Sequence, residues 1–254
     1  MRHVVALARR ELGTYFLGPI AFLVLLAFQV IAALNFWDLV ARLAQQGRTY
    51  SGLRDPMNSY ITGSTPFWLA LLVAVPALTM RLLAEERRSG TIEPLLTAPV
   101  TEAQVVVAKW LAGFVMYLGL LAPFALYLPF LYFQGRYRFD VGPVLALGIG
   151  LTTLGMMFVA IGLFFSALTR NQVVAAIGTF AVLFLLILLV TVLADFAAYR
   201  GSDWAQAIQA VSVMNQMGKL GTGQLDLRYL AMHVSTCILM LYLTTKVVQF
   251  RREG

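Results

Sequence analysis

RLLAEERRSGTIEPLLTAPVTEAQVVVAK, residues 81–109, is a charged hairpin set between two long apolar runs, Thr65–Leu83 before it and Val105–Phe133 after it. That alternation decides the fold class. A crossing of about 30 Å of hydrocarbon takes roughly 20 mainly apolar residues. Four further runs qualify: Gly18–Trp37, Val141–Ser166, Val173–Ala194 and Tyr229–Val247. Backbone amides find no water partners in lipid, so such runs fold as helices rather than isolated strands. The period-two alternation of a membrane barrel is absent. With 60% hydrophobic and 12% charged residues, the chain reads as one all-α polytopic membrane domain, residues 1–254, with six transmembrane helices.

The hairpin itself, residues 84–104, is built from several devices. Arg81 marks where the second span leaves hydrocarbon, and Pro76 allows a kink before it. Glu85, Glu86, Arg87 and Arg88 are too polar for lipid and project into water or against protein. Ser89-Gly90 is turn chemistry. Thr91 is a good N-cap for a short helix, Glu93 favours its positive end, and Pro94 is tolerated in the first turn. Leu95 and Leu96 then sit on a small helix outside the membrane and need cover from lipid, the spans or a partner. Pro99 stops this element. Thr101 and Gln104 form a capping box that starts the third span, with Val100 and Val105 as its hydrophobic staple. A plain loop needs none of this, so the hairpin is expected to be grasped by a partner.

An even number of spans puts both termini on one side. That side carries eleven Lys/Arg against six Glu; the other carries eight Lys/Arg against six Asp. The excess of basic residues points to cytoplasmic termini. The overall charge of +7 suits anchoring at the inner leaflet better than nucleic-acid binding, because no water-soluble domain displays a basic stripe. Residues 1–17 form an amphipathic interfacial helix, with Val4, Val5, Ala8, Leu12 and Tyr15 on one face and Arg2, His3, Arg9, Arg10 and Gly13 opposite. It is either an orientation anchor or a contact for a cytoplasmic partner. In the outer connection, residues 195–227, Ser202 can cap a helix whose face is Trp204, Ile208, Val211 and Met214; Gly218, Gly221 and Gly223 then break the chain. That helix either lies at the interface as an anchor or dips into the outer leaflet. Thr169–Gln172 is a four-residue turn, so the fourth and fifth spans are antiparallel neighbours. The first apolar run is too long for a signal peptide and is expected to stay attached. Cys237 is the one cysteine, so there is no disulfide framework.

The chain lacks a phosphate-binding loop: Gly218-Lys219 has neither the preceding glycine nor the following hydroxyl residue. His3 and His233 are far apart, no metal-ligand cluster is visible, and no acids line the middles of the spans as an ion relay requires. No catalytic site or cofactor is expected in this chain, and any energy must enter from outside it. The residues alone leave open a non-transporting scaffold or anchor of a larger complex.

The segment VPALTMRLLAEERRSGTIEPLLTAPV, residues 75–100, resembles the signature of type 2 ABC exporter permeases, and most of all their gliding-motility-associated branch. RELGTYFLGPI (10–20), SALTRNQVVA (166–175) and DLRYL (226–230) resemble that branch at the start of span one, the turn before span five and the start of span six. The resemblance implies an inner-membrane permease of bacteria. It would work as a homodimer or homologous heterodimer with separate ABC ATPase subunits that bind ATP and Mg. An auxiliary membrane or periplasmic subunit is compatible with it. The hairpin would hold a coupling helix docking into the ATPase, with Glu85, Glu86, Arg87, Gly90, Thr91, Glu93, Leu95 and Leu96 as the coupling residues. The N-terminal helix, with Arg9, Arg10 and Glu11, would be the family's connecting helix. Pro94 departs from the helix-favouring residue expected there. The resemblance names no cargo.

Overall fold

A computed structural model describes residues 2–45, 58–89, 101–134, 140–201 and 204–250. Every regular element among them is helical. In chain order these are α1 (Arg2–Leu17), α2 (Pro19–Gln45), a π-helical turn Asn58–Thr62, α3 (Thr65–Thr79), α4 (Ala84–Ser89), α5 (Glu102–Gln134) and α6 (Val141–Leu168). Then follow α7 (Gln172–Phe184), a π-helical turn Leu185–Leu189, α8 (Val190–Tyr199), α9 (Ala205–Val211), α10 (Val213–Gly221) and α11 (Leu227–Phe250). Among the described residues, five helical stretches are long and apolar enough to cross a membrane: Pro19–Ala41, Glu102–Tyr127, Val141–Leu168, Gln172–Tyr199 and Leu227–Phe250.

The run expected as a second span, Thr65–Leu83, behaves differently. Its helix ends at Thr79 and is followed by turn residues 80–83 before α4 begins. At 1.5 Å per residue, α3 alone is roughly 22 Å long, short of the hydrocarbon thickness. Its two ends are nevertheless paired with α2. Ser64, the N-cap of α3, donates to Asn35 Oδ1 at 2.5 Å, and the Arg81 guanidinium lies where a Cβ on Gly18 would come within 2.8 Å of its Nη1. Gly18 to Asn35 and Ser64 to Arg81 cover equal numbers of residues, so the two antiparallel segments run side by side for about 26 Å of rise. Glycine at the α1–α2 corner leaves this space to the Arg81 guanidinium.

The centre of the bundle is α6, which packs against α3, α5, α7, α10 and α11. Its buried face carries Leu147, Leu151, Leu154, Phe158 and Leu163. Gly155 receives the ring of Tyr117 so closely that a Cβ there would lie 1.9 Å from the ring, and the Tyr117 hydroxyl donates to Leu151 O at 3.0 Å. By contrast α2 leaves Phe22, Leu23, Leu26, Val30 and Leu34 exposed, an apolar face suited to lipid. Three residues, 169–171, separate α6 from α7, and the two helices pack together as the short turn requires.

The outer connection corrects one expectation. Instead of one helix carrying Trp204, Ile208, Val211 and Met214 on a single face there are two, α9 and α10, broken at Ser212, whose backbone is extended. The Ser212 hydroxyl caps α10 at Asn215 N and bonds Thr191 on α8. A residue that can cap in mid-segment competes with helix continuation there. Gly218 does not break the chain but lies inside α10; the break comes at Gly223, with φ of +84°. Ser202 lies outside the described residues.

Candidate functional site

The hairpin end of the bundle is organised around Lys109, on the second turn of α5. Its side chain is only 2% exposed, and its Nζ lies 2.8 Å from Glu86 Oε1 and 3.1 Å from Glu11 Oε2. One buried ammonium thus joins three elements: α1 through Glu11, α4 through Glu86, and α5 through itself. Both carboxylates are largely buried. Burial pushes the Glu86 carboxyl above the usual range; the Lys109 ammonium opposes this, Glu11 adds to it, and Arg10 opposes it more weakly.

Glu11 reaches this position because α1 turns Ala8, Leu12 and Tyr15 inward along the same side, whereas Val5 is exposed. The inward face of α1 is therefore rotated from the one expected from apolar spacing. It carries a carboxylate because Lys109 is there to receive it. Arg9 and Arg10 remain exposed.

The ends of α3 and α6 meet beside this cluster, and their unpaired backbone groups are satisfied by side chains from other elements. Ser166 Oγ accepts from Leu83 N and Ala84 N, both at 3.0 Å, and donates to Met80 O at 2.9 Å. The Tyr15 hydroxyl donates to Leu78 O at 2.7 Å; burial raises its pKa, keeping it a donor. Arg87 donates to Ala167 O, the penultimate carbonyl of α6. On the other side of the hairpin the capping box is formed as expected: Thr101 N donates to Gln104 Oε1 at 3.2 Å, and Gln104 N to Thr101 Oγ1 at 3.3 Å.

The expected coupling residues therefore divide. Glu86 and Arg87 face into the protein and fix the base of the hairpin. Glu85 is half exposed and pairs with Arg81 at 3.1 Å. Gly90, Thr91, Glu93, Leu95 and Leu96, with the expected coupling helix, lie outside the described residues. Three residues of this end escape sequence reasoning: Lys109, Ser166 and Tyr15. Lys109 could have been found, because it stands inside the apolar run Val105–Phe133, where a lysine demands partners. The hydroxyls give no such signal, since each could equally bond its own helix.

At the far end a second buried polar group ties the outer helices to the bundle. Gln216 Oε1 can only accept, so His233 Nε2 donates to it at 2.9 Å, leaving Nδ1 to accept from Thr153 at 3.1 Å. Gln216 Nε2 in turn donates to Ala210 O at 2.6 Å. Gln216 and His233 are fully buried. His233 is here a packing residue that pins α10 and α11 to α6.

Residues 9–247 match the family described as ABC-2 family transporter protein. The match takes in Glu11, the hairpin and most of α11, and the chain belongs to that family. It is a multi-pass membrane permease of a kind that is not itself the ATPase, and such permeases in general imply an ABC ATPase partner. No curated protein matches the chain.

Proposed function

We propose that this chain is the transmembrane subunit of an ATP-driven ABC exporter, working as a pair with separate ATPase subunits that grip the hairpin of residues 84–104. The observation that carries this reading is the buried Lys109, which holds Glu11 of α1 and Glu86 of α4 in one cluster. A hairpin that only reversed the chain would gain nothing from being bound to an interfacial helix. A hairpin that must pass movement to the spans needs such a rigid base.

In this mechanism ATP binding closes the ATPase pair and displaces the two hairpins. The displacement biases an equilibrium between two arrangements of the permease pair. Glu86, through Lys109, carries the movement to α5 and α1. Arg87, with Ser166 behind it, carries it to the junction of α3 and α6. Glu85, Thr91, Glu93, Leu95 and Leu96 make the outward contacts with the ATPase. The side-by-side run of α2 and α3 supports counting Ser64–Arg81 as a sixth crossing; six crossings leave both termini on one side, and the excess of Lys/Arg there favours the cytoplasmic side of a bacterial inner membrane. The gliding-motility-like segments support a place near that branch. The apolar spans favour an amphipathic or lipid-linked cargo, or force passed to another membrane protein.

Co-purification tests the reading. Wild-type protein retains a Walker-motif ATPase; Leu95→Asp, a change at one of the proposed docking residues, loses it with the spans intact. Glu86→Lys sets a second ammonium beside Lys109, displaces the hairpin and loses it too. Normal retention of the ATPase by both variants sinks the docking assignment.

A further inference from the structure

At the end of the bundle remote from Lys109, a cavity of about 550 Å³ opens between α9, α10 and α11. Ala207, Ala210 and Met232 give it an apolar wall, and Lys219, Arg228 and Tyr229 line its polar part. Lys219 Nζ is held 2.9 Å from the Tyr229 hydroxyl and 5.5 Å from its ring centroid. Among the described residues it pairs with no carboxylate. The nearby Asp226 carboxylate is taken up by Arg228, which binds both of its oxygens, at 3.1 and 2.7 Å, through its side chain. Hydrogen bonds from Arg228 hold the Asp226 carboxyl below its usual range, so it stays ionised. The lining thus carries two cations against one carboxylate beside it, a surplus of one positive charge.

The place of this cavity in the fold says what kind of anion fits. Arg228 lies on the first turn of α11, where that helix leaves the apolar zone, and Trp204 beside α9 is exposed, as aromatic residues are at headgroup level. No residue of α9 is fully buried: it packs against α8 and α10 with Ile208 half-buried, while Ala207, Ala210 and Val211 stay exposed on the side that lines the cavity. A ligand here meets cations at headgroup depth and an apolar wall alongside. Free phosphate would use only the first of these.

We propose that this cavity binds one anionic phospholipid of the outer leaflet, its phosphate held between Lys219 and Arg228 and its upper chain lying along Ala207, Ala210 and Met232. The proposal is independent of the hairpin's partner and is tested on the permease without ATPase or nucleotide. The protein is equilibrated in vesicles of equal phosphatidylglycerol and phosphatidylcholine, extracted in mild detergent and examined by native mass spectrometry. The expected result is retention of one phosphatidylglycerol in preference to phosphatidylcholine. Lys219→Gln weakens retention roughly tenfold, the effect of one charge-assisted hydrogen bond. Arg228→Gln weakens it further, because Asp226 is then unmasked. Ala210→Phe keeps both cations but pushes a ring into the path of the acyl chain along the apolar wall, and sharply weakens retention. Arg200→Gln, removing a cation of the same end that does not line the cavity, leaves retention unchanged. Helicity and thermal midpoint are followed for every variant. Equal loss in Arg200→Gln, full retention in Ala210→Phe, displacement of the lipid by inorganic phosphate alone, or no preference for phosphatidylglycerol each overturns the proposal.

Discussion

Replacing Lys109 by methionine separates a buried charge cluster from ordinary packing. The substitution nearly conserves volume but leaves Glu11 and Glu86 facing each other across the space the ammonium held. At an effective dielectric of about 20, two unit charges about 6 Å apart repel by about 3 kcal/mol. The fold has one escape, which is to keep a proton on one carboxyl. Doing so at pH 7 costs about 3.7 kcal/mol for a glutamate of ordinary pKa, so the electrostatic penalty is capped near that value. The total loss is expected at about 3 kcal/mol, at the lower end of values for breaking a buried pair by removing one partner. Its pH dependence follows from the direction of the shift. The Glu86 carboxyl is already raised in the wild type, with burial the largest cause, and losing Lys109 raises it further. Above the ordinary carboxylate range the folded variant then binds more protons than the unfolded chain. Its stability falls as pH rises through that window and recovers, by up to about 1.4 kcal/mol per unit, as pH is lowered. Glu86→Gln is the paired control. It removes the surplus carboxylate and leaves Lys109 matched with Glu11, so it should cost less than about 1 kcal/mol. Reversible unfolding by sodium dodecyl sulfate in mixed micelles, at neutral and mildly acid pH, measures both. A Glu86→Gln loss as large as that of Lys109→Met, or a Lys109→Met penalty unchanged by pH, refutes the reasoning.

Other changes probe the framework around that cluster. Ser166→Ala leaves Leu83 N and Ala84 N without their acceptor; at about 1–3 kcal/mol for each buried donor, the unfolding midpoint drops and limited proteolysis near residue 84 accelerates. Gly155→Ala places a methyl against the Tyr117 ring, an overpacking worth about 1–3 kcal/mol or more; Tyr117→Leu introduced with it recovers much of the loss in the same unfolding assay. Gln216→Leu removes the partner of His233. Since hydrogen bonds in membrane bundles average about 0.6 kcal/mol, it lowers the midpoint only modestly, while hydrogen exchange at α10 rises more than elsewhere.

The fold was largely legible in the apolar runs because length and hydrophobicity alone determine whether a helix can lie in lipid. The capping box at Thr101 and Gln104 was legible for a similar reason, as it is closed within three residues. What could not be read depends on distant partners. Lys109 takes one ligand from α1 and another from α4, and that arrangement turns Glu11 inward although apolar spacing alone would have set Val5 there. The early stop of α3 at Thr79 depends on Ser166, more than eighty residues away, to satisfy the turn that follows. The split between α9 and α10 turns on Ser212 finding Thr191 on a neighbouring helix. For Glu86 and Arg87, polarity left two alternatives, water or protein, and local sequence does not choose between them; Lys109 and Ala167 O, both distant in the chain, decide for protein.

The claim that work enters this permease through its hairpin is tested most directly by a photo-crosslinking residue at position 95, compared with the same residue at position 204, in intact membranes. The account predicts that position 95 captures a Walker-motif ATPase subunit on the cytoplasmic face, with a yield that changes on adding ATP, while position 204 captures only lipid or proteins of the opposite side. Capture of the ATPase from position 204, or none from position 95 in a complex that still hydrolyses ATP, would contradict it.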